Sequence, residues 1–407
     1  MRWPSGTRRN QDESAGSSLE DLRQREAREL ERRGGPTGTR RDQEAARRDQ
    51  EGVRREHEAL RRDQEAAAHA WLAPAYQDPW QAAPPSSSSP SPSPSPSPSP
   101  PPPPEHAPPA DLAAAWEPIV VDRATAEFEP RPPGVPVRRH IPDTVFDGWS
   151  SDSFTVRSAS VRGYAHRYNG APRQDHVTVF FQRRGNREEL LFAVADGVSN
   201  ARHGELGAAA AAEAAIEALQ QFLLSGRPLD WAAVADAAVR HMASVTRRHL
   251  QVPAPSAAQI SELLATTLTI GAVGALPDRA RVIMTRVGDS GAWVLDGAHY
   301  RPVFGAEGTP EAAVVSSGVT ALPQIPDPMP FAAFDLLPHQ VLLVGTDGFG
   351  DPLGDGTGQI GQLFAWHLAA PPPPRGLAHL LDFSRETFDD DRTLLAVWPR
   401  RARREAP

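Results

Sequence analysis

Four aspartates lie beside segments whose residue pattern is typical of β-strands. They are Asp175 before HVTVFF, Asp196 after LLFAVA, Asp347 after QVLLVGT and Asp390 before DRTLLAVW. An isolated Asp beside a strand is usually a turn or cap residue. Four of them from distant segments also match the set of oxygen donors that a hard divalent cation such as Mg²⁺ or Mn²⁺ requires. Two cations that share a carboxylate lower the pKa of a bridging water and neutralise a phosphoryl group, so the pattern indicates a site for phosphoryl chemistry.

The elements that must position these aspartates form a layered pattern. Strand-like segments follow one another at hairpin spacing and the helical segments are grouped separately, which predicts an α+β fold rather than alternating βαβ units. One helix is predicted from near Gly204 to a stop at Gly226, and a second has Asp230 as its N-cap. The segment ARVIMTRVGDSGAWVL predicts a hairpin through Gly288 and Asp289, so Asp289 is interpreted as a turn residue and not as a metal ligand.

Composition narrows the class of protein. The 407 residues are 39% hydrophobic and 23% charged, which is close to the average for globular proteins. A net charge of -8 does not favour nucleic acid as a partner. The absence of cysteine excludes disulfides, thiolate metal sites and a cysteine nucleophile, and it is compatible with a reducing compartment. We also see no apolar signal-peptide region and no apolar run of about 18 residues, so we expect no transmembrane segment and a cytoplasmic location.

The chain changes character along its length. Residues 1–83 are predicted to form a charged, partly helical arm, within which residues 40–67 repeat every seven residues. The apolar positions of this repeat are adjacent, so we predict a solvated single helix in preference to a weak coiled coil. Contact of its arginines with anionic lipid or nucleic acid is a third interpretation, which the interleaved acidic residues disfavour. Residues 84–110 are almost entirely Pro and Ser and predict a semi-rigid extended spacer. The other predicted segments are an irregular lead-in at 111–153, a globular domain at 154–399 and a basic tail at 400–407.

Six motifs of the globular part resemble a known family. In chain order they are RQDHV, FAVADGVSNARHGELGA, ATTLTIGAV, RVGDSGAWVL, LLVGTDGFGD and DDDRTLLAV. Together they resemble the PP2C class of metal-dependent protein serine/threonine phosphatases (the PPM family), over about residues 155–398. The Ala-, Arg- and Pro-rich composition is typical of actinobacterial members. The resemblance implies an α-β-β-α sandwich, in which two antiparallel sheets pack face to face between helices and the active site lies at one edge.

The resemblance also implies roles for the aspartates. Asp196 would bridge two metal ions, and the carbonyl of Gly197 would complete the coordination of one of them. Asp347 and Asp390 would ligate the second ion, and Asp175 would hold metal-bound water. The cofactors implied are two Mn²⁺ or Mg²⁺ ions, with a water that bridges them attacking phosphorus in line.

The candidates for a third metal ion and for a proton donor match the family's pattern less closely. Asp351 and Glu262 are candidates for a third metal ion. The residue that follows Asp196-Gly197 is Val198, where the animal enzymes of the family have a His that is proposed as general acid. His203 and His166 are nearby in the sequence, and either is a candidate proton donor.

The phosphate-binding arginine of the family has no clear counterpart. Arg173 and Arg167 are the candidates, and Gly291 stands where the family usually has another Arg. We expect hydrolysis of phosphoserine and phosphothreonine on proteins, with substrates that a Ser/Thr kinase could supply. Val198 and the missing Arg leave open an alternative, in which the fold is a catalytically weak or inactive binding module. With either function, residues 1–110 would be a tether or an arm that binds an unknown partner.

Overall fold

The computed structural model describes residues 55, 62, 66, 117–126, 131, 141–305 and 320–400. The chain divides into two units, residues 1–61, of which only Arg55 is described, and residues 62–407, which contain every element below. Arg55, Arg62 and Ala66 of the seven-residue repeat are helical and exposed. The predicted spacer at 84–110 and the residues of the tail after 400 lie outside the described residues.

The described residues form eleven strands in two sheets, and every strand pair within them is antiparallel. The first sheet has the order β1-β2-β11-β10-β7-β8, and the second has the order β3-β4-β5-β6-β9. The strands are β1 (Thr144–Ser150), β2 (Phe154–Val161), β3 (His176–Arg184), β4 (Arg187–Ala195), β5 (Leu268–Ala275), β6 (Ala280–Val287), β7 (Gly291–Asp296), β8 (His299–Pro302), β9 (Phe331–Leu336), β10 (Gln340–Gly345) and β11 (Arg392–Pro399).

Seven helices lie in the same part of the chain. They are α1 (Tyr164–Asn169), α2 (Gly204–Ser225), α3 (Trp231–Leu250), α4 (Ala257–Leu264), α5 (Asp347–Leu353), α6 (Gln359–Leu368) and α7 (Pro374–Leu381). The predicted ends of the long helices are confirmed. Asp230 accepts a hydrogen bond from the Ala233 N–H at 3.0 Å, and Gly226 ends α2 with a left-handed φ of 67°.

Side-chain alternation explains why the sheets stack. In β4 every residue is buried, because successive side chains point to opposite faces and both faces are covered. Leu190 and Phe192 belong to the core between the two sheets, whereas Leu191 and Ala193 pack with α2 and α3. Strand β10 has the same double burial and packs with α5, α6 and α7 on its outer side. The predicted α-β-β-α sandwich is therefore confirmed.

Two predictions of local structure are wrong. The lead-in at 111–153 contains β1, which is regular because it pairs along its whole length with β2. The predicted hairpin through Gly288 and Asp289 does not form, because β6 pairs with β5 and β9 in one sheet while β7 pairs with β10 and β8 in the other. The turn thus carries the chain between the sheets. No helix in the described segments has the length and apolar character needed to cross a membrane.

Candidate metal centre

The structure brings the four predicted aspartates together. Asp196 follows β4, Asp347 is the first residue of α5, and Asp175 and Asp390 lie just before β3 and β11. The negative charge of Asp390 raises the pKa of each of the other three carboxyl groups. Carboxylates affect one another in this way only when they are close, so strand ends from both sheets converge on one cluster.

Asp175 is the most buried of the four. Only 3% of it is exposed, and its Oδ2 accepts a hydrogen bond from Thr346 Oγ1 at 2.8 Å. Its Oδ1 is buried without a hydrogen-bond partner among the described residues. Burial, together with the charge of Asp391, raises the pKa of Asp175 to about 8. An unpaired buried oxygen of this kind is suited to hold a water or a donor inside the cluster.

Asp196 and Asp347 are close enough to hydrogen bond to each other. The Asp196 carbonyl accepts from Thr266 Oγ1 at 2.7 Å and from the Thr267 N–H at 2.8 Å, which fixes the end of β4. Burial and the charges of Asp175 and Asp347 raise the pKa of Asp196 well above its ordinary value. Burial raises the pKa of Asp347 to about 6, and its Oδ1 also has no hydrogen-bond partner in the described part of the chain.

A pair of threonines joins the strands that deliver Asp347 and Asp390. Thr346 Oγ1 accepts from the Thr393 N–H at 3.0 Å, and the Thr346 N–H donates to the Thr393 carbonyl at 3.2 Å. Both threonines are fully buried. The end of β10 and the start of β11 are therefore held together directly beside the carboxylates.

Sequence reasoning missed Asp391. It is 2% exposed and accepts hydrogen bonds from the Gly163 N–H at 2.6 Å and the Gln174 N–H at 2.5 Å. The Nδ1 atom of His166 lies 2.9 Å from Asp391 Oδ1, and His166, Asp390 and Asp391 each offer a ligand atom within 4.8 Å of the others. Burial disfavours the charged imidazole, but Asp391, Asp390 and Asp175 outweigh it and raise the pKa of His166. Asp391 thus anchors α1 and the segment before β3 to the base of β11.

Comparison with known proteins identifies the family of the chain. The family described as protein phosphatase 2C matches residues 162–381, more than half of the chain. The chain belongs to the protein phosphatase 2C family. Similar solved structures include the catalytic domain of the serine/threonine phosphatase PstP with two manganese ions, which is 21% identical and covers 61% of this chain and 98% of its own (TM-score 0.39). The Mycobacterium tuberculosis phosphatase PstP/Ppp is 18% identical and covers 60% and 98% (TM-score 0.38). RsbX in complex with magnesium is 14% identical and covers 63% and 100% (TM-score 0.38). No curated protein matches the chain.

The two candidate ligands of a third metal ion, Asp351 and Glu262, have different surroundings in this phosphatase 2C domain. Asp351 belongs to α5, and burial and the charge of Asp289 raise its pKa. Asp289 also raises the pKa of Asp347, so the residue interpreted as a hairpin turn lies near the cluster. The Glu262 side chain is 61% exposed and forms an ion pair with Arg202 at 2.5 Å. Glu262 therefore lies at the surface beside Arg202, and its role as a ligand of a third ion stays a prediction.

Both predicted phosphate-binding arginines have partners within the domain. Arg173 is 6% exposed; its Nη1 donates to Ser160 Oγ and, at 2.7 Å, to the Asp175 carbonyl. Arg167 forms ion pairs with Asp382 at 2.8 Å and Asp143 at 3.1 Å. Both guanidinium groups thus have buried or paired partners within the domain, and their phosphate-binding role stays a prediction.

Two further predicted positions, Gly197 and His203, follow the end of β4. Gly197 forms an isolated bridge with Thr266, and a Cβ atom at Gly197 would collide with the backbone of Gly204, so only glycine fits there. Its predicted carbonyl ligand remains a prediction. His203 Nδ1 lies 3.1 Å from Glu205 Oε1 and its ring packs on His249 at 4.7 Å, whereas His166 contacts the cluster directly.

Proposed function

We propose that this chain hydrolyses phosphoserine and phosphothreonine esters on proteins, with two Mn²⁺ or Mg²⁺ ions held by Asp196, Asp347 and Asp390. The observation that carries the proposal is the convergence of these carboxylates with Asp175 in a chain of the protein phosphatase 2C family. The relatives with bound manganese and magnesium agree with the choice of cation.

The donor set fits hard divalent cations. Carboxylate oxygens are the ligands that Mg²⁺ and Mn²⁺ prefer, and no softer donor is required. The unpaired Oδ1 atoms of Asp175 and Asp347 leave free acceptors inside the cluster. Without cations, burial and the charges of neighbouring carboxylates raise the pKa of Asp175, Asp196, Asp347 and Asp390, so binding of positive charge relieves an unfavourable interaction.

Asp196, Asp347 and Asp390 would hold the two ions, which would supply activation of water and neutralisation of the phosphoryl oxygens. The chain's own residues hold and orient these groups. Asp175, fixed by Thr346, is placed to accept a hydrogen bond from water within the cluster. His166, fixed by Asp391, is the candidate to protonate the departing serine or threonine oxygen. The residue at the position of the animal enzymes' proposed general acid is Val198, which cannot donate a proton.

The test uses the full chain, because residues 117–126 pair with the segment before Asp390. Hydrolysis of p-nitrophenyl phosphate and of a phosphothreonine peptide is measured with Mn²⁺, with Mg²⁺ and with EDTA. Asp196→Asn and Asp347→Asn are compared with Asp278→Asn, whose exposed carboxylate pairs only with Arg279 in the described structure. We expect metal-dependent turnover that the first two substitutions abolish and the third leaves unchanged.

Two results would contradict the proposal. Full metal-dependent activity of Asp347→Asn would show that the assigned cluster is not the site. A folded protein that binds Mn²⁺ but releases no phosphate would instead favour the binding-module alternative, for which Val198 and the occupied Arg173 are the supporting observations. Deletion of residues 1–110 tests the arm: unchanged turnover of the small substrate is expected if the arm is a tether that recruits a kinase or another partner.

A further inference from the structure

Residues 117–126 form a strap, which we define by this range, along the segment that leads to Asp390. The Val121 N–H donates to the Ser384 carbonyl at 3.0 Å, and the Ser384 N–H donates to the Ile119 carbonyl at 2.8 Å. Val121 is 4% exposed and belongs to the core beneath α6 and α7. The strap is thus paired and packed, although both it and residues 384–391 lie outside the family match.

Arg385 connects the strap to the element that carries Asp347. Its Nε lies 3.2 Å from Asp122 Oδ2 in the strap, and its Nη1 donates to the Pro352 carbonyl in α5 at 3.1 Å. The guanidinium also lies over the Phe388 ring at 4.6 Å. One side chain therefore contacts the strap, the helix that begins at Asp347 and the segment that ends at Asp390.

The segment between Ser384 and Asp390 is held in an unfavourable backbone conformation. Thr387 has φ of 74° and Asp122, in the strap, has φ of 59°; both are left-handed values that residues other than glycine rarely adopt. Such conformations persist only where surrounding contacts determine them. Downstream, the buried guanidinium of Arg392 also fixes this segment, because it donates hydrogen bonds to the carbonyls of Phe383 and Phe388.

We propose that Arg385 and Asp122 are positioning residues, which hold α5 and the lead-in to β11 at the spacing that Asp347 and Asp390 need to share divalent cations. The inference rests on the function proposed above for these aspartates. Arg385 touches neither substrate nor metal; it acts through Pro352 and Phe388 on the backbone that carries the ligands.

The strap supplies a matched control. Arg123 forms a second ion pair across the same interface, with Glu386 at 3.2 Å, but its side chain is 83% exposed. An exposed pair of this kind contributes little to stability or position. Arg123→Ala therefore removes one arginine from the strap interface without disturbing the contact with α5.

The experiment compares Arg385→Ala, Arg385→Lys and Arg123→Ala in the full chain. Mn²⁺ alone is titrated by calorimetry, hydrogen exchange of residues 347–353 and 384–391 is followed with EDTA present, and the melting temperature is recorded. For Arg385→Ala we expect Mn²⁺ affinity to fall about tenfold, near the lower limit for loss of a residue that supports metal ligands. We also expect faster exchange in the two segments, partial rescue by Lys and values within about twofold of wild type for Arg123→Ala.

The outcomes separate this inference from the proposed function. Wild-type Mn²⁺ affinity and unchanged exchange in Arg385→Ala would overturn the positioning role, as would equal losses in Arg123→Ala. If the wild-type protein bound no Mn²⁺, the proposed function would fail, and exchange at residues 384–391 would still decide the role of Arg385. If Arg385→Ala did not fold, Asp122→Asn, which leaves the contact with Pro352, would provide the same comparison with Arg123→Ala.

Discussion

Replacing Asp347 with Asn is expected to make the metal-free protein more stable at neutral pH while removing its response to Mn²⁺. The reason is that burial disfavours the charged form of Asp347, the charges of Asp390 and Asp289 oppose its ionisation, and its Oδ1 has no hydrogen-bond partner among the described residues. Asn has nearly the same shape but no charge. The substitution therefore removes a repulsion that only bound cations compensate.

The magnitude follows from the pKa. Burial and neighbouring carboxylates raise the pKa of Asp347 from 3.8 to about 6. A difference of about 2 units corresponds to about 3 kcal/mol, because each unit is 1.36 kcal/mol. The neutral amide also relieves Asp196 but leaves its remaining repulsion with Asp175, and it keeps part of the burial cost, so we expect a gain of about 2 kcal/mol at pH 7.

The effect of the Asp347→Asn substitution on stability depends on pH. A carboxyl group with a raised pKa in the folded state binds its proton more tightly there than in the unfolded state. Its contribution to stability is fully present below pH 3.8 and is lost as the pH rises through about 6. The variant and the wild-type protein are therefore expected to be similar near pH 4 and to diverge up to about pH 7.

The assay is chemical denaturation with EDTA across this pH range, followed by melting with and without Mn²⁺. A gain of about 2 kcal/mol corresponds to a melting temperature about 4–8 °C higher for a domain of this size. The control is Asp278→Asn, which removes an exposed carboxylate outside the cluster and so tests the loss of a charge alone. A metal-free Asp347→Asn protein that is no more stable than wild type at pH 7 would refute the electrostatic reasoning.

Three further predictions follow from the same structure. First, Mn²⁺ binding at pH 7 is expected to release protons and to strengthen between about pH 6 and pH 8, because the cluster carboxyls with raised pKa must lose their protons. Calorimetry in buffers of different ionisation enthalpy measures the proton release, and binding without it would contradict the prediction. Second, Arg392→Met is expected to destabilise the fold by about 3 kcal/mol in urea, because the 2%-exposed guanidinium donates to the Leu381 and Phe383 carbonyls, which would lose their partner. Third, Gly291→Ala is expected to cost about 1–3 kcal/mol, because a Cβ there collides with the Trp293 ring, and a double-mutant cycle with Trp293→Leu should recover most of that loss.

Much of the candidate site could be predicted from short-range pattern. Asp196 and Asp347 each follow an apolar run that is buried on both faces, and Asp390 precedes another. Asp175 precedes the less buried strand β3. A polar residue at the tip of such a strand marks the edge of a sheet, whatever the order of strands. The layered fold was predictable for the same reason, because the spacing of strand-like and helical segments depends on local periodicity.

The rest depended on contacts between distant residues. The turn at Gly288 and Asp289 has the composition of a hairpin, but which sheet β7 joins is decided by its pairing with β10 and β8. The run of three aspartates before β11 gives no sign of which side chain is buried, and only the fold shows that Asp391 faces the N–H groups of Gly163 and Gln174. The occupied state of Arg167 likewise depends on acidic residues 24 and 215 positions away.

The proposed metal centre is held in place by residues that have no direct part in its proposed chemistry. Burial raises the pKa of Asp175, Asp196, Asp347 and Asp390, and neighbouring carboxylates raise it further, so the cluster opposes its own assembly until cations bind. The residues around the cluster must therefore contribute stability that the aspartates themselves do not provide. The mutual hydrogen bonds of Thr346 and Thr393, the buried Asp391 and the strap contact through Arg385 supply it from three directions. Because the strap and Asp390 lie on either side of the family match, segments that flank the matched region complete the site.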